Sequence, residues 1–437
     1  MPRSPLIRKA VLANGLTVLT ERMPAVRSVA LGVWIGVGSR DEEASQAGIS
    51  HFLEHMLFKG TERRSAEAIA QEIEAVGGKL DAFTSREQTC YYAKVLAEHL
   101  PLAVDLLTDL LLRPRLDPED VEKERGVILQ EIRMVEDTPD DEVHDLFTQA
   151  IWGDHPLGRP VLGRPETLGG LTRDALRAYL AASYRPSRTI LAAAGHLDHD
   201  RLVRLLEAHL EGWNGLAPAA ASPLTPVARP ATLAKEREVS QVHLCLGVEG
   251  LPYAHRDRYA LSLVNTVLGG GMSSRLFQEV REKRGLVYSI YSYLASFRDA
   301  GLLVVYAGCG EEALEEVIGC IREECARLAG QPIGAEEFRR AKEQLKGSLL
   351  LGLEGTTSRM TRLAKMQMYF GRTFSVDTII RGIEEVTPER FQRVAQACFA
   401  GERYTLTTIG PLARVQGAPV GAAAAAARAR PAGGRGA

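Results

Sequence analysis

An α+β chain made of two copies of one folding unit is what the sequence predicts, and three observations predict it. Segments with strand character come in adjacent pairs instead of alternating strictly with helices. The order of segments in the first half returns in the second, and a proline-rich stretch divides the chain near its middle. Each unit is expected to be a mainly antiparallel sheet packed with helices.

The first half opens with VLANGLTVLTE, whose alternation around Asn14-Gly15 is the pattern of a strand hairpin. SVALGVWIGVGS reads as a strand, SHFLEHMLFKG and SAEAIAQEIEAVGG as helices, and KLDAFTSREQTCYYAKVL as a strand pair. LPLAVDLLTDLLL is helical, and Asp117-Pro118 supplies an N-cap and first turn for the helix after it. In the second half QVHLCLGVEG is a strand, YALSLVNTVLGGG and SRLFQEVREKRG are helices, and LVYSIYSYLASF pairs with GLLVVYAGC as strands. Two more helices follow, EEALEEVIGCIREECARL and GAEEFRRAKEQLKGSLLLGL. Between the halves LAPAAASPLTPVARP has Pro218, Pro223, Pro226 and Pro230 and no period, as an extended linker would. Beyond Gly417 the chain is Ala, Gly, Arg and Pro, too poor in large apolar residues to fold on its own. The expected plan is an N-terminal domain over 1–215, a linker over 216–235, a homologous C-terminal domain over 236–415 and a disordered tail over 416–437.

Composition narrows the function. The 437 residues are 45% hydrophobic and 25% charged, an ordinary globular balance that excludes disorder as the main state. Lys+Arg 53 against Asp+Glu 55 gives a net charge of -2, without the basic field that nucleic-acid binding requires. The 6 cysteines are scattered with no CxxC pair, as reduced thiols would be. No apolar run reaches the ~20 residues of a membrane span and the N-terminus lacks a signal-peptide centre, so a cytoplasmic protein is expected. No phosphate-cradling glycine loop follows a strand, which argues against nucleotide chemistry.

One helix concentrates chemistry. In His51-Phe52-Leu53-Glu54-His55, Ile49, Phe52, Leu53, Met56 and Leu57 form an apolar face and His51, Glu54 and His55 share the other. Histidines four apart stand one above the other and can bind a single Zn²⁺ with Glu54 beside it, the inverted counterpart of the HExxH zinc helix. The plain alternative is a polar face that happens to carry two histidines. In the helix after Asp117, Val121, Ile128 and Val135 stand at heptad spacing, and Glu124 and Glu131 interrupt that seam. Burying those charges unpaired would cost several kcal/mol, so a metal and a histidine are natural partners. A slightly rotated helix, with Arg125 and Ile132 on the seam and both glutamates in water, fits the same residues. His196, Asp198 and His199 stand where a strand turns into a helix, and Asp198 reads there as a cap.

From HFLEHMLFKGT, ERGVILQEIRMVEDTPDD and HPLGRPVLG, the chain resembles the inverzincin metallopeptidases of family M16. The likeness is to the short-chain branch that includes the mitochondrial processing peptidase β subunit and its bacterial homologues, over about residues 8 to 412. That family's third ligand follows the second histidine by about 76 positions, which falls on Glu131, and its second acidic position falls on Glu124. The resemblance implies two domains facing each other around a peptide-holding chamber, one Zn²⁺ per chain on His51, His55 and Glu131, and Glu54 as general base. It implies Glu124 orienting a ligand histidine, and Arg281 and Tyr288 binding substrate. KLDAFTSREQTCYYAKV matches the family's substrate-side strand, with Asp81 where many relatives have Asn. Gly269-Gly270-Gly271 resembles the glycine-rich loop of the processing peptidase α subunit, and a helix C-cap explains it equally well. The implied function is a zinc endopeptidase cutting peptides or unfolded segments, as a homodimer or with a homologous subunit, bound to neither nucleic acid nor membrane. The competing expectation is a non-catalytic or partner-dependent subunit, like the core proteins of the respiratory bc1 complex.

Overall fold

A computed structural model describes residues 6–215, 224–401 and 403–411. The first half runs β1 (Ile7–Val11), β2 (Thr17–Arg22), β3 (Ser28–Ile35), α1 (Ile49–Leu57), α2 (Ala66–Ala75), β4 (Lys79–Thr84) and β5 (Thr89–Leu96). It continues through α3 (Leu100–Leu112), α4 (Pro118–Glu136), α5 (Pro139–Trp152), α6 (Pro165–Gly169), α7 (Arg173–Ser183), β6 (Thr189–Gly195) and α8 (His199–His209). The second half runs β7 (Thr232–Glu236), β8 (Val242–Glu249), α9 (Arg258–Gly269), a π-helical turn over Phe277–Glu282, β9 (Val287–Ser296) and β10 (Gly301–Cys309). Then come α10 (Leu314–Gly330), α11 (Ala335–Gly352), α12 (Thr356–Phe370), α13 (Val376–Glu384), α14 (Pro388–Phe399) and β11 (Thr405–Gly410).

The expected duplication is visible strand by strand. One sheet has the order β1-β2-β6-β3-β5-β4 and the other β7-β11-β8-β10-β9. Setting β1 aside, the two match position for position: β2 and β6 pair in parallel as β7 and β11 do, and the remaining neighbours are antiparallel. The hairpin at Asn14-Gly15 is present, with Gly15 at φ +90.

Three details differ from the sequence reading. Four residues assigned to the linker, 232–235, belong to β7, whose side chains are almost all exposed; it is a strand because its backbone pairs with β11, and apolar alternation cannot reveal that. Residues 277–282 form a π-helical turn within the expected helix. Asp117 holds the N-cap position of α4 without a side-chain capping bond. Residues 216–223 of the linker and the tail over 416–437 lie outside the described residues.

Each sheet buries one face under helices of its own half. The opposite face is covered by a helix from the other half. Val143, Phe147, Ile151 and Trp152 of α5 pack on Cys245, Leu302, Val304 and Ile409 of the second sheet. In return, Met360, Leu363, Ala364 and Met366 of α12 pack on Leu19, Ala30, Trp34, Ala192 and Ala194 of the first. Both central strands have Leu-Gly-Val where the borrowed helix crosses. A Cβ at Gly32 would stand 2.9 Å from the Met360 sulfur, and one at Gly247 would stand 2.7 Å from the Phe147 ring. The exchange explains why β3 and β10 are buried nearly end to end.

Ion pairs lock the exchange. The buried Arg40 guanidinium donates to Glu87 at 2.6 Å and to both Asp299 oxygens at 2.8 and 2.7 Å. Glu87 also accepts from the Arg298 backbone N–H and from the Tyr369 hydroxyl at 2.9 Å. Although burial alone would raise it, the Asp299 carboxyl is held below its usual range by the bonds and charge of Arg40. Among the described residues no helix is long and apolar enough to cross a membrane.

Because each half supplies part of the other's core, the chain is expected to unfold as one unit. Phe147→Ala should cost about 3–5 kcal/mol, seen in urea titrations as one transition shifted equally by tryptophan fluorescence and by far-UV circular dichroism. Two separated transitions would contradict this account.

Candidate metal centre

The helix α1 sits where its sequence pattern requires. Ile49, Phe52, Leu53, Met56 and Leu57 are all fully buried against the first sheet, which turns His51, Glu54 and His55 away from it. The two imidazoles stand one turn apart with ring centroids 4.6 Å from each other.

Opposite them runs α4. Its buried seam is Val121, Glu124, Ile128 and Ile132, so the spacing is helical and moves off Val135, which is only half-buried. Glu124 lies on that seam and Glu131 at its edge, which combines the two sequence readings: Ile132 is in the core, yet neither glutamate is left as an ordinary solvated side chain. Glu131 Oε2 lies 3.7 Å from Nε2 of His51 and 3.7 Å from Nε2 of His55. Glu124 accepts from or pairs with Nδ1 of His55 at 3.1 Å, and its other oxygen meets the Lys59 ammonium at 2.5 Å.

These donors fit a metal. One ligand atom from each of His51, His55 and Glu131 lies within 4.8 Å of the others, the one such cluster among the described residues. A tetrahedral Zn²⁺ with bonds of ~2.0–2.1 Å spaces its donors by about 3.3 Å, so a small contraction closes the set. Nδ1 of His55 is taken by Glu124, which leaves Nε2 as the ring nitrogen facing the cluster. Burial, reinforced by the charge of His55, pulls the His51 pKa down to about 4, which keeps that imidazole neutral and able to ligate. Nδ1 of His51 is buried without a hydrogen-bond partner.

Glu54 is buried beside the cluster. Burial raises its pKa, against the pull of a 2.5 Å hydrogen bond donated by the Thr84 hydroxyl. His51, Glu54, Ala82, Phe83, Thr84, Asp141, Asp145 and Leu162 line one open groove. The strand β4 that supplies three of them is the edge of its sheet. Asp81 on that strand accepts from the Tyr92 hydroxyl at 3.0 Å and adds negative charge near Glu54.

Arg281 and Tyr288 are brought to each other, the guanidinium 5.2 Å above the phenol ring and 4.7 Å above Phe277. Tyr288 is 77% exposed. The contacts found for this pair lie within the second half, apart from the cluster on α1 and α4. Asp198 caps α8 through the Arg201 N–H and His199 bonds Thr20, so neither is a ligand. Gly269 is the end of α9, where a Cβ would meet the Ser292 backbone at 2.5 Å, so close packing accounts for it. Sequence reasoning missed Thr84 and Lys59 as partners of Glu54 and Glu124. Both stand in the quoted segments, but only the fold shows which carboxylate each one meets.

Residues 17–165 match the model described as Insulinase (Peptidase family M16), and residues 170–345 match that of the Peptidase M16 inactive domain. The chain is 46% identical to an uncharacterized zinc protease of Streptomyces coelicolor over 93% of this chain and 90% of that one. It is 44% identical to the uncharacterized zinc protease YmxG of Bacillus subtilis over 93% and 98%. The fold of a protease from Helicobacter pylori superposes with a TM-score of 0.86 at 22% identity, over 93% of this chain and all of that one.

Glu124→Gln removes the carboxylate that meets Nδ1 of His55 while keeping the side chain's shape. Zinc affinity, measured by chelator competition, is expected to fall about 10- to 100-fold, and an unchanged constant would separate Glu124 from the metal.

Proposed function

The chain belongs to peptidase family M16, and from that premise we propose a zinc-dependent endopeptidase acting on peptides and unfolded polypeptide segments. The observation that carries the proposal is the convergence of His51, His55 and Glu131 beside a buried Glu54 in an open groove. Zinc, when bound there, supplies a Lewis acid that lowers the pKa of a water to about 7 and polarises the scissile carbonyl. Glu54, its pKa raised by burial and its carboxylate steadied by Thr84, accepts a proton from the attacking water and passes it to the leaving amine. Glu124 keeps His55 in the ligating tautomer.

The groove suggests what is cut. An edge strand can pair with an extended peptide through its backbone, which favours unfolded segments and leaves sequence preference loose. Asp81, Asp141 and Asp145 give the surroundings of the groove an acidic cast, which favours peptides with basic side chains. The exposed Arg281 and Tyr288 are suited to hold a substrate carbonyl and its developing oxyanion when a second copy closes the chamber, and a homodimer carries both the metal residues and this pair. A reducing cytoplasmic setting is supported by 6 free cysteines, all but Cys398 buried. The complete set His51, Glu54, His55 and Glu131 weighs against a scaffold role, which would not need buried acids and imidazoles in ligand register.

The purified protein should hold about one zinc per chain and cut a library of quenched peptides. Glu54→Gln should keep the metal and lose about 10²- to 10⁴-fold in kcat. A parent that binds no zinc, or binds it and cuts nothing until another protein is added, refutes the proposal in favour of the scaffold or partner-dependent reading. Arg281→Ala and Tyr288→Phe should each lower kcat/KM by about 10²-fold with zinc content unchanged, and full activity in both would remove the pair from the substrate's path.

A further inference from the structure

We infer that Glu42 is a positioning residue for the metal centre: its carboxylate fixes the start of α1, and with it where His51 and His55 stand. The inference rests on the zinc reading above. A helix leaves its first four N–H groups without partners inside the helix. The N-cap of α1 is Gly48 at φ +97, which has no side chain to take any of them. Glu42, six residues upstream, does so with both oxygens. Oε2 accepts from the Gly48 N–H at 2.7 Å and Oε1 from the Ser50 N–H at 2.8 Å. Burial pushes the Glu42 pKa up to about 7, against the pull of these two N–H bonds, and the ionised form, in which both oxygens accept, also suits the positive end of the helix.

The carboxylate is itself held in place. Glu42 is 5% exposed, and its backbone carbonyl accepts from the Arg159 guanidinium at 2.8 Å. Ala47 O accepts from the Thr167 hydroxyl at 2.7 Å. Backbones meet here without room for side chains: a Cβ at Gly48 would lie 2.8 Å from Leu162 O, and one at Gly163 would lie 2.4 Å from Ala47 O. Residues 42–48 are thus pressed onto the segment HPLGRPVLG, whose Val161 and Leu162 also line the metal groove. The anchor and the groove wall form one packed body. Ser50 precedes His51 and its hydroxyl bonds Tyr179 at 2.7 Å, so the first turn is gripped on both sides.

The consequence is geometric. His51 and His55 come from α1 and Glu131 from α4, so the distance from histidines to glutamate depends on how one helix is seated against another. Metal sites tolerate about 0.2 Å of error in ligand distance. Loosening the first turn of α1 therefore degrades metal affinity before it unfolds the protein. Glu42→Gln keeps size and burial but replaces one acceptor with a donor aimed at an N–H.

The test is zinc affinity by competition with a fluorescent chelator, with the thermal midpoint of each zinc-free protein measured in parallel. The panel is the parent, Glu42→Gln, Glu42→Asp and Leu202→Ala, the last a cavity variant in the buried core of α8. Zinc should bind about 10- to 100-fold more weakly in Glu42→Gln. Glu42→Asp, which keeps both carboxyl oxygens but is too short to reach both N–H groups, should fall between Glu42→Gln and the parent, and it carries the test if Glu42→Gln does not fold. Leu202→Ala should lose stability and keep the parent's affinity. Parental affinity in both Glu42 variants, or equal weakening in Leu202→Ala, overturns the positioning role while leaving the zinc reading intact. A parent that binds no zinc overturns both.

Discussion

The exchange of α5 and α12 is the constraint on which the rest of the molecule depends. A sheet with both faces apolar must be covered twice, and each half of this chain has helices for one face only. Covering the second face with the other half's helix makes two units of one ancestral plan into a single packed body. The glycines at 32 and 247 mark where that contact is tightest, and the Arg40 network ties the turn between β4 and β5 to the loop between β9 and β10. Since α5 also carries Asp141 and Asp145 into the groove, the contact that joins the halves also builds one wall of the site.

Within that frame, the site is a controlled violation of core packing. A carboxyl on the buried seam of α4 would be costly alone, and Glu124 is compensated by Lys59 and His55 together. Glu54 is compensated less well: burial raises its pKa, and one hydroxyl is its only side-chain hydrogen-bond donor among the described residues. The proposed roles ask for that difference: a residue proposed to hold an imidazole is served by fixed partners, and one proposed to move a proton by a carboxyl whose pKa burial raises.

Much of this was legible in the sequence because helical periodicity is a local property. The faces of α1 could be assigned from nine residues, and they stand as assigned. The seam of α4 was half legible: heptad spacing pointed to Val135, whereas a straight helix at 3.6 residues per turn brings Ile132 inward and leaves Glu131 at the edge, within reach of both histidines. Strands defined by backbone pairing were hidden, as β7 shows, because exposed side chains carry no alternation. So was the helix exchange, since an amphipathic helix displays its apolar face in the sequence without saying which half it will cover. Glu42 was hidden for a related reason: a capping carboxylate six residues before its helix has no fixed spacing, unlike a capping box.

Among the described residues the duplication leaves one cluster of candidate metal ligands rather than two, and the packing shows how the second half differs. Where α1 turns His51, Glu54 and His55 away from its sheet, α9 buries Ala260, Leu263, Val264, Val267 and Leu268 at the same spacing and carries Ser262, Asn265 and Thr266 at the intervening positions. Hydroxyl and amide side chains at those positions need no carboxylate partner on α11, whose buried residues are Phe338 and Ala341. Freed of that demand, the second half presents polar and aromatic groups from another element, the π-helical turn that carries Arg281 and the edge strand that carries Tyr288. An extra residue in a helical turn re-aims the side chains beyond it, which is why such turns gather at functional places. The two halves thus keep one architecture and present different side chains, the His51, His55 and Glu131 cluster on the first and a guanidinium over a phenol on the second.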